Sequence, residues 1–330
     1  MPSSWSSLHG SFLYSMNPPP VLSIVSPVYR AEAIVPRLVE KIKEAASRVT
    51  ERFEIVLVED GSPDNSWAAM ELESDKDARV IAIKLTRNFG QQCAITAGLT
   101  FATGECMVVL DCDLQDDPAF IPELYAGFKE GYEVVLTRKN TREYGFVRNA
   151  ITHGFYLLLR VSGDLSNVDP HINSYCLISR RVAQEYLTLE DYHRDFLMLI
   201  QWMGFKQTVI PVEHASRYSG ESSYSWAKLF RHAVATITAH SKAFLKFSIA
   251  LGFLYVAAAF ATSTYLVISY FLHGYRAGWA STMVMILAST GIMLLAIGTA
   301  GIYIGNIFDQ VRRRPLFLVQ EKRNIEMDSP

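Results

Sequence analysis

Two aspartates flanking a single cysteine, Asp111 and Asp113, follow the apolar run Met107–Leu110 in the stretch MVVLDCDLQDDP. Strand side chains alternate with a period of two, so a strand running into Asp-Cys-Asp would present both carboxylates on one face, and Gln115 can follow them. Such a pair suits a hard divalent cation, which usually keeps several waters and binds substrate phosphates. A cation held there would neutralise charge developing on a diphosphate leaving group. Cys112, between the aspartates, reads as a small apolar filler on the opposite face. With Cys93, Cys106 and Cys176 it forms no CxxC pair and no metal-ligand spacing, which points to free thiols in a reducing compartment.

A second acidic turn, VLVEDGSPDNS (Val56–Ser66), also ends a strand-like run. Asp60 can accept hydrogen bonds from a nucleobase N–H, and Gly61 lets the backbone turn tightly. The same residues also suit an Asx-type turn followed by a helix N-cap at Asn65 or Ser66, and the two readings are compatible.

The elements that must position these groups alternate. Val21–Val28, Glu54–Val58, Val80–Leu85, Met107–Leu110 and Glu133–Leu136 are short runs rich in β-branched residues. Helical patterns fall between them at Ala33–Val49, Ser66–Glu73, Phe89–Ala102 and Pro118–Glu130. This alternation predicts an α/β fold, a mainly parallel sheet covered by helices on both faces. Ligands in such sheets bind at the carboxyl ends of the strands. The polar clusters Tyr29–Glu32, Glu59–Asn65, Arg87–Gln92 and Asp111–Asp117 all fall there. Beyond residue 138 the pattern is less regular, with a helix at Gly145–Val161 and strands at Tyr175–Ile178 and Lys206–Val212.

Half of the residues are apolar and the formal net charge is −2, which excludes a general nucleic-acid binder. The apolar excess lies after residue 246. Phe247–Leu272 and Ala280–Phe308 carry no charge, and at about 1.5 Å per residue each exceeds the roughly 30 Å hydrocarbon core of a bilayer. Two transmembrane helices are therefore expected. Arg312, Arg313 and Arg314 follow the second, whereas the connecting segment His273–Trp279 carries one Arg. The positive-inside rule then places the large domain and the C-terminus in the cytoplasm. Ser225–Phe247, with apolar residues at helical spacing among Lys228, Arg231, Lys242 and Lys246, suggests amphipathic helices in the headgroup plane. The first twenty residues lack the pattern of a signal peptide and read as a disordered leader, with Met16 an alternative start. The expected domains are therefore 1–20, leader; 21–224, catalytic; 225–246, interfacial; 247–308, two spans; and 309–330, cytoplasmic tail.

SPVYRAE (Ser26–Glu32), VEDGSPDNS (Val58–Ser66), NFGQQCAITAGL (Asn88–Leu99) and DCDLQDDP (Asp111–Pro118) resemble, in order, the motifs of family 2 glycosyltransferases. RYSGESSYSWAKL (Arg217–Leu229) and GIYIGNIFDQVRRRPLFLV (Gly301–Val319) resemble later motifs of the dolichyl-phosphate mannose synthase and bactoprenol glucosyltransferase group. The resemblance covers roughly residues 21–320 and implies a GT-A type fold and an inverting, metal-dependent hexosyltransferase. Its donor would be a nucleotide sugar, its acceptor a polyprenyl phosphate, and its place the bilayer, most simply a bacterial inner membrane. By the same resemblance, Glu32 and Asp60 lie at the nucleobase and ribose end, while Asp111, Asp113 and Gln115 hold Mg2+ or Mn2+ against the diphosphate. Arg138, Arg148 and Arg217 hold the acceptor and donor phosphates, for which the planar guanidinium fork is suited. Gly220, Ser222, Ser223 and Tyr224 form a mobile loop over the nucleotide sugar.

One stretch departs from the group. Where it carries an Asp shortly before an aromatic residue and a strand, this chain reads NVDPHINSYCLISRRV (Asn167–Val182), with Ser174 before Tyr175. Asp169-Pro170 matches one form of the group's pattern only with one inserted residue, so no general base transfers, and His171 reads as structural or substrate-binding, with a local base the alternative. A phosphate monoester, with a second pKa near 6, is largely dianionic at neutral pH and already a nucleophile, whereas a hydroxyl acceptor would need a base. The two-span tail favours a UDP-hexose such as UDP-glucose, with GDP-mannose the alternative. A processive polysaccharide synthase would carry a Gln-x-x-Arg-Trp motif that Gln201-Trp202 does not match, and a non-catalytic scaffold would not need Asp111, Asp113 and Arg217. Gly298, Gly301 and Gly305 permit the close helix packing of a homo-oligomer.

Overall fold

The computed structural model describes residues 19–139, 172–192, 194–212, 243–273 and 278–325. Four strands, β1 (Leu22–Val28), β2 (Phe53–Glu59), β3 (Val80–Leu85) and β4 (Cys106–Val109), form a parallel core. It is extended by β5 (Val134–Lys139), β6 (Ile172–Ser179), β7 (Gln207–Val212) and β8 (Val319–Arg323) into an eight-stranded sheet of order β7-β5-β6-β4-β1-β2-β3-β8. β6 runs antiparallel to both β4 and β5, so β5 and its parallel neighbour β7 point the same way as β4. The carboxyl ends of the eight strands thus divide cleanly: β1 to β5 and β7 finish at one edge, β6 and β8 at the other.

β1 and β2 are buried along their whole length, which their near-continuous apolar runs foretell for strands covered on both faces. Alternation sorts their side chains. Leu22, Ile24, Ile55 and Leu57 enter one core beneath α1 (Val35–Ser47), α2 (Ser66–Lys76) and α4 (Ile121–Lys129). Val25, Val56 and Val58 enter the other, beneath α3 (Gln91–Phe101), α5 (Arg180–Thr188) and α6 (Phe196–Trp202). Helix α1 starts with proline in its first turn and buries Val35, Leu38, Val39 and Ile42, one stripe at helical spacing. α5 and α6 begin at capping residues, Ser179 accepting from the Val182 amide and Asp195 from the Met198 amide. The helix expected at Gly145–Val161 and the amphipathic segment at Ser225–Phe247 lie outside the described residues apart from the start of the next helix.

That helix, α7 (Ala243–His273), and α8 (Trp279–Val311) are long and carry exposed apolar side chains, among them Phe253 at 73%, Phe260 at 75% and Leu295 at 65%. Among the described residues Ala288–Val311 is long and apolar enough to cross a membrane, and Phe247–Thr262 forms a shorter apolar stretch. The segment read from sequence as a tail after the second helix carries a strand of the sheet. Val319–Arg323 pairs antiparallel with β3, and Phe317, Val319 and Ile325 pack against the α3-side core.

Candidate active site

The loops that follow β1, β2, β3 and β4 meet at one edge and are tied to one another by hydrogen bonds. From the β1 loop, the Arg30 amide donates to Ser62 Oγ at 2.6 Å and the Ala31 amide to Ser66 Oγ at 3.0 Å. Glu32, exposed, accepts from Asn65 through both its backbone amide and its side chain at 3.2 Å. Asp64 accepts from the Ser62 and Ser66 hydroxyls at 2.7 and 2.6 Å. Partial burial pushes the Asp64 carboxyl up, but those hydroxyls and backbone amides outweigh it and hold the group below its ordinary range. The Asx-type turn foreseen in VEDGSPDNS thus exists, with Asp64 accepting from the Ser66 amide at 3.3 Å, and Asn65 stands at the N-cap of α2 without a side-chain cap bond.

Asp60, foreseen as a nucleobase contact, is 3% exposed. Its two oxygens accept from the Phe89 and Gly90 amides at 2.7 and 2.9 Å, so its visible task is to fix the loop leaving β3. Burial raises its pKa, opposed by those two amides and by Arg87. Gly61 beside it has φ of +60°, and a Cβ there would stand 2.2 Å from the Asn88 nitrogen. Only glycine satisfies both conditions, which is why this turn carries one. Glu59 accepts from the Ser62 amide.

The aspartate pair lies differently from the strand-face reading. β4 ends at Val109, and Asp111 and Asp113 occupy a turn beyond it, so period-two alternation does not set their directions. The turn is organised by other means. Leu114 is in the left-handed region at φ of +58° with its side chain 7% exposed in the core, a strained conformation for a branched residue. Asp113 Oδ1 accepts from the Gln115 amide at 3.0 Å. Asp111 Oδ1 accepts from Gln91 Nε2 at 2.6 Å, which ties the aspartate to the start of α3. Cys112 packs against the α1-side core and burial pushes its thiol up to about 12, as its filler role requires. Asp116, 4% exposed, accepts from Asn173 Nδ2 on β6.

Arg138 is exposed near the end of β5, whose direction brings it to the same edge as Asp111. Arg148, Arg217, Ser222 and Ser223, together with His171, lie outside the described residues. Gln91 and Asn173 were not singled out from the sequence; the run of two glutamines at Gln91-Gln92 was the available signal, but amides have no diagnostic spacing.

The donor set fits a hard divalent cation by its chemistry. Asp111 and Asp113 are half-buried carboxylates on a fixed turn, and a Mg2+-like ion takes one or two carboxylates plus waters and phosphate oxygens. No cluster of three or more His, Cys, Asp or Glu side chains occurs among the described residues, so the substrate and solvent would complete the shell.

Residues 23–187 match the family model described as Glycosyl transferase family 2. The chain is 35% identical over 306 residues to the uncharacterized glycosyltransferase YkcC of Bacillus subtilis (strain 168), covering 92% of this chain and 94% of that protein. It is 32% identical over 310 residues to the undecaprenyl-phosphate 4-deoxy-4-formamido-L-arabinose transferase of Proteus mirabilis (strain HI4320), covering 91% and 93%. Among solved structures, a mannosyltransferase from Pyrobaculum calidifontis in complex with GDP-Man and Mn2+ aligns with a TM-score of 0.46 and 15% identity over 89% of this chain and 87% of that one. That likeness is too distant to inform the site.

Proposed function

The chain belongs to glycosyl transferase family 2, and from that premise we propose that it transfers a hexose from a nucleotide sugar, a UDP-hexose in the first instance, to a polyprenyl phosphate with inversion. The observation that carries this reading is where the apolar hairpin joins the sheet. β7 ends at the edge that bears Asp60, Asp111 and Arg138, and the chain goes from there, through residues outside the description, into α7. It returns from α8 to the same edge, since Val319, the first residue of β8, pairs with Leu85 at the carboxyl end of β3. A site at the root of a membrane hairpin is at the height of lipid headgroups, where a polyprenyl phosphate presents its phosphate. A relative whose name specifies undecaprenyl phosphate supports the same acceptor class.

The exposed apolar surfaces of α7 and α8 exceed what a water-facing surface tolerates, which supports two spans. The pairing of β8 with β3 supports an even number of crossings with domain and C-terminus on one side, and the Arg312, Arg313 and Arg314 cluster supports the cytoplasmic one. Asp111 and Asp113 would hold Mg2+ or Mn2+, with Gln115 beside them, and the bound cation would supply charge neutralisation at the diphosphate leaving group. Glu32 and Asp60 would shape the nucleoside end, Asp60 through the loop that it fixes. Ser222 would bind the nucleotide sugar, and Arg138, Arg148, Arg217 and Ser223 the acceptor phosphate, with Arg217 also acting in transfer. The dianionic acceptor phosphate attacks without a protein base, so positioning and charge stabilisation are what the chain must provide.

The test is a panel of labelled UDP- and GDP-sugars offered to the purified full chain in detergent with a short polyprenyl phosphate. Labelled polyprenyl-phosphate sugar from a UDP-hexose is the expected product. Product from GDP-mannose alone would move the donor to the alternative, and absence of any lipid-linked product would refute the acceptor.

A further inference from the structure

The segment running from β3 into the first turn of α3, residues 86–92, carries no regular structure before Gln91. Its position is set by ties to other elements: Asp60 holds the Phe89 and Gly90 amides, and Gln91 reaches Asp111. Two more ties come, directly or through one intermediary, from the last turn of the second long helix and the chain that follows it. At the start of the loop, the Thr86 amide donates to the Leu318 carbonyl at 3.0 Å, one residue before β8 begins. At its end, Gln92 Oε1 accepts from the Phe196 amide at 2.9 Å, the first residue of α6. The segment leading into α6 is itself gripped by α8. Gln310 Oε1 accepts from the Tyr192 amide at 2.8 Å, Gln310 Nε2 donates to the Glu190 carbonyl, and Arg313 pairs with Glu190 at 3.6 Å.

β8 is also fastened beyond its ladder. Asn324, in the left-handed region at φ of +57°, donates through Nδ2 to the Ser74 and Val80 carbonyls at 2.8 and 2.9 Å. Arg323 pairs with Glu71 of α2 at 2.6 Å. A strand with three charged residues among five, VQEKR, has little apolar area to hold it on a sheet edge. The Arg323–Glu71 ion pair and the Asn324 hydrogen bonds to α2 and β3 replace that area. So residues 310–325 bracket the loop from both sides, through Leu318 at one end and through Gln310 and α6 at the other.

We infer that residues 310–325 are a positioning element of the donor site, with Gln310 and Asn324 as positioning residues that hold the 86–92 loop against Asp60 and Asp111. The membrane hairpin and the donor loop then form one connected unit, and the strand that follows the hairpin is part of the site's scaffold. This inference rests on the donor-site reading above for its functional meaning, but its structural content can be measured without substrate.

The experiment uses the full chain in detergent, with Arg323→Ala/Asn324→Ala, Gln310→Ala and, as a control at the opposite sheet end, Glu54→Gln. Amide hydrogen exchange of residues 86–92, calorimetric affinity for UDP and GDP, and Tm are read for each. Both test variants should exchange the Phe89 and Gly90 amides about tenfold or more faster through local opening. Nucleotide affinity should fall by about three- to tenfold in each, a loss of about 0.7–1.4 kcal/mol, with kcat changing less than KM. Gln310 is exposed, so Gln310→Ala carries the test if the double variant fails to fold. Wild-type exchange at 86–92 in the folded variants would overturn the inference. So would equal loosening of that loop by Glu54→Gln, because lost stability alone would then explain it. Loosening in the test variants together with a wild type that binds neither UDP nor GDP would uphold the positioning and remove the donor reading instead.

Discussion

At the amino end of the parallel strands, Glu54 accepts from the Ser23 hydroxyl at 2.6 Å and from the Thr103 hydroxyl at 3.0 Å, and Ser23 Oγ accepts from the Gly104 amide at 2.7 Å. Every group in that cluster has a partner and the backbone is relaxed. At the carboxyl end, Arg30 and Leu114 sit at positive φ. There Glu59 Oε2 and Ser26 Oγ are buried with no hydrogen-bond partner among the described residues. Of these two polar clusters, only the one around Glu54 is satisfied. Strain and unmet hydrogen-bonding capacity concentrate where a fold serves chemistry, and closed networks where it serves stability. The polar count of a loop therefore says less about function than whether its groups already have partners.

The contrast predicts that substitutions at the two ends fail in different currencies. The largest effect is expected for Asp113→Asn, which should lower transfer by on the order of 100-fold or more while Tm stays near wild type, because the amide oxygen can still accept from Gln115. Unchanged activity in this variant, measured with excess chelator present, would break the assignment of the carboxyl end to catalysis. Gly61→Ala should follow. Its Cβ would meet the backbone of Arg87 and Asn88 and force an unfavourable φ costing about 1–3 kcal/mol, seen by calorimetry as weaker UDP binding alongside a lower Tm. Glu54→Gln should cost about 1–3 kcal/mol of stability in denaturant unfolding but leave nucleotide affinity of the folded protein unchanged; a selective loss of affinity would blur the distinction between the ends.

The smallest effect concerns pH. Burial raises the Glu59 carboxyl above its ordinary value, and Asp60 adds to this, while the Ser62 amide and Lys84 oppose it. A carboxyl raised by folding binds its proton more tightly in the native state, so its contribution is present below the unfolded pKa and is lost as pH rises through the folded one. Glu59→Gln removes that loss. The Tm of the variant relative to wild type should therefore increase from acid toward neutral pH, and a flat difference would show that Glu59 carries no folding-linked titration.

Legibility from sequence followed burial. β1 to β4 and the helices between them were readable because strands covered on both faces must be continuous apolar runs and their helices must show one apolar stripe, as in α1. β8 was not readable, since Val319–Arg323 has one apolar residue, is held largely by its ladder with β3 and by the Arg323–Glu71 pair, and reads as a charged tail. α5 and α6 are short and begin at single capping residues, Ser179 and Asp195, which carry little weight without a long periodic stripe behind them. At the site, the acidic turns and Gly61 were legible from residue type. The early end of β4, the left-handed Leu114 and the bond from Gln91 to Asp111 depend on tertiary contacts that spacing does not encode.

The central claim is that the sugar goes to a lipid phosphate at the root of the hairpin, with the acceptor as its own nucleophile. Its most direct test compares initial transfer rates of the wild-type chain with a short polyprenyl phosphate and with the matching polyprenyl alcohol, using the same labelled nucleotide sugar. Lipid-linked sugar is expected from the phosphate and only background from the alcohol. Transfer to the alcohol at a similar rate would contradict it, because a hydroxyl nucleophile would require a base that this account does without.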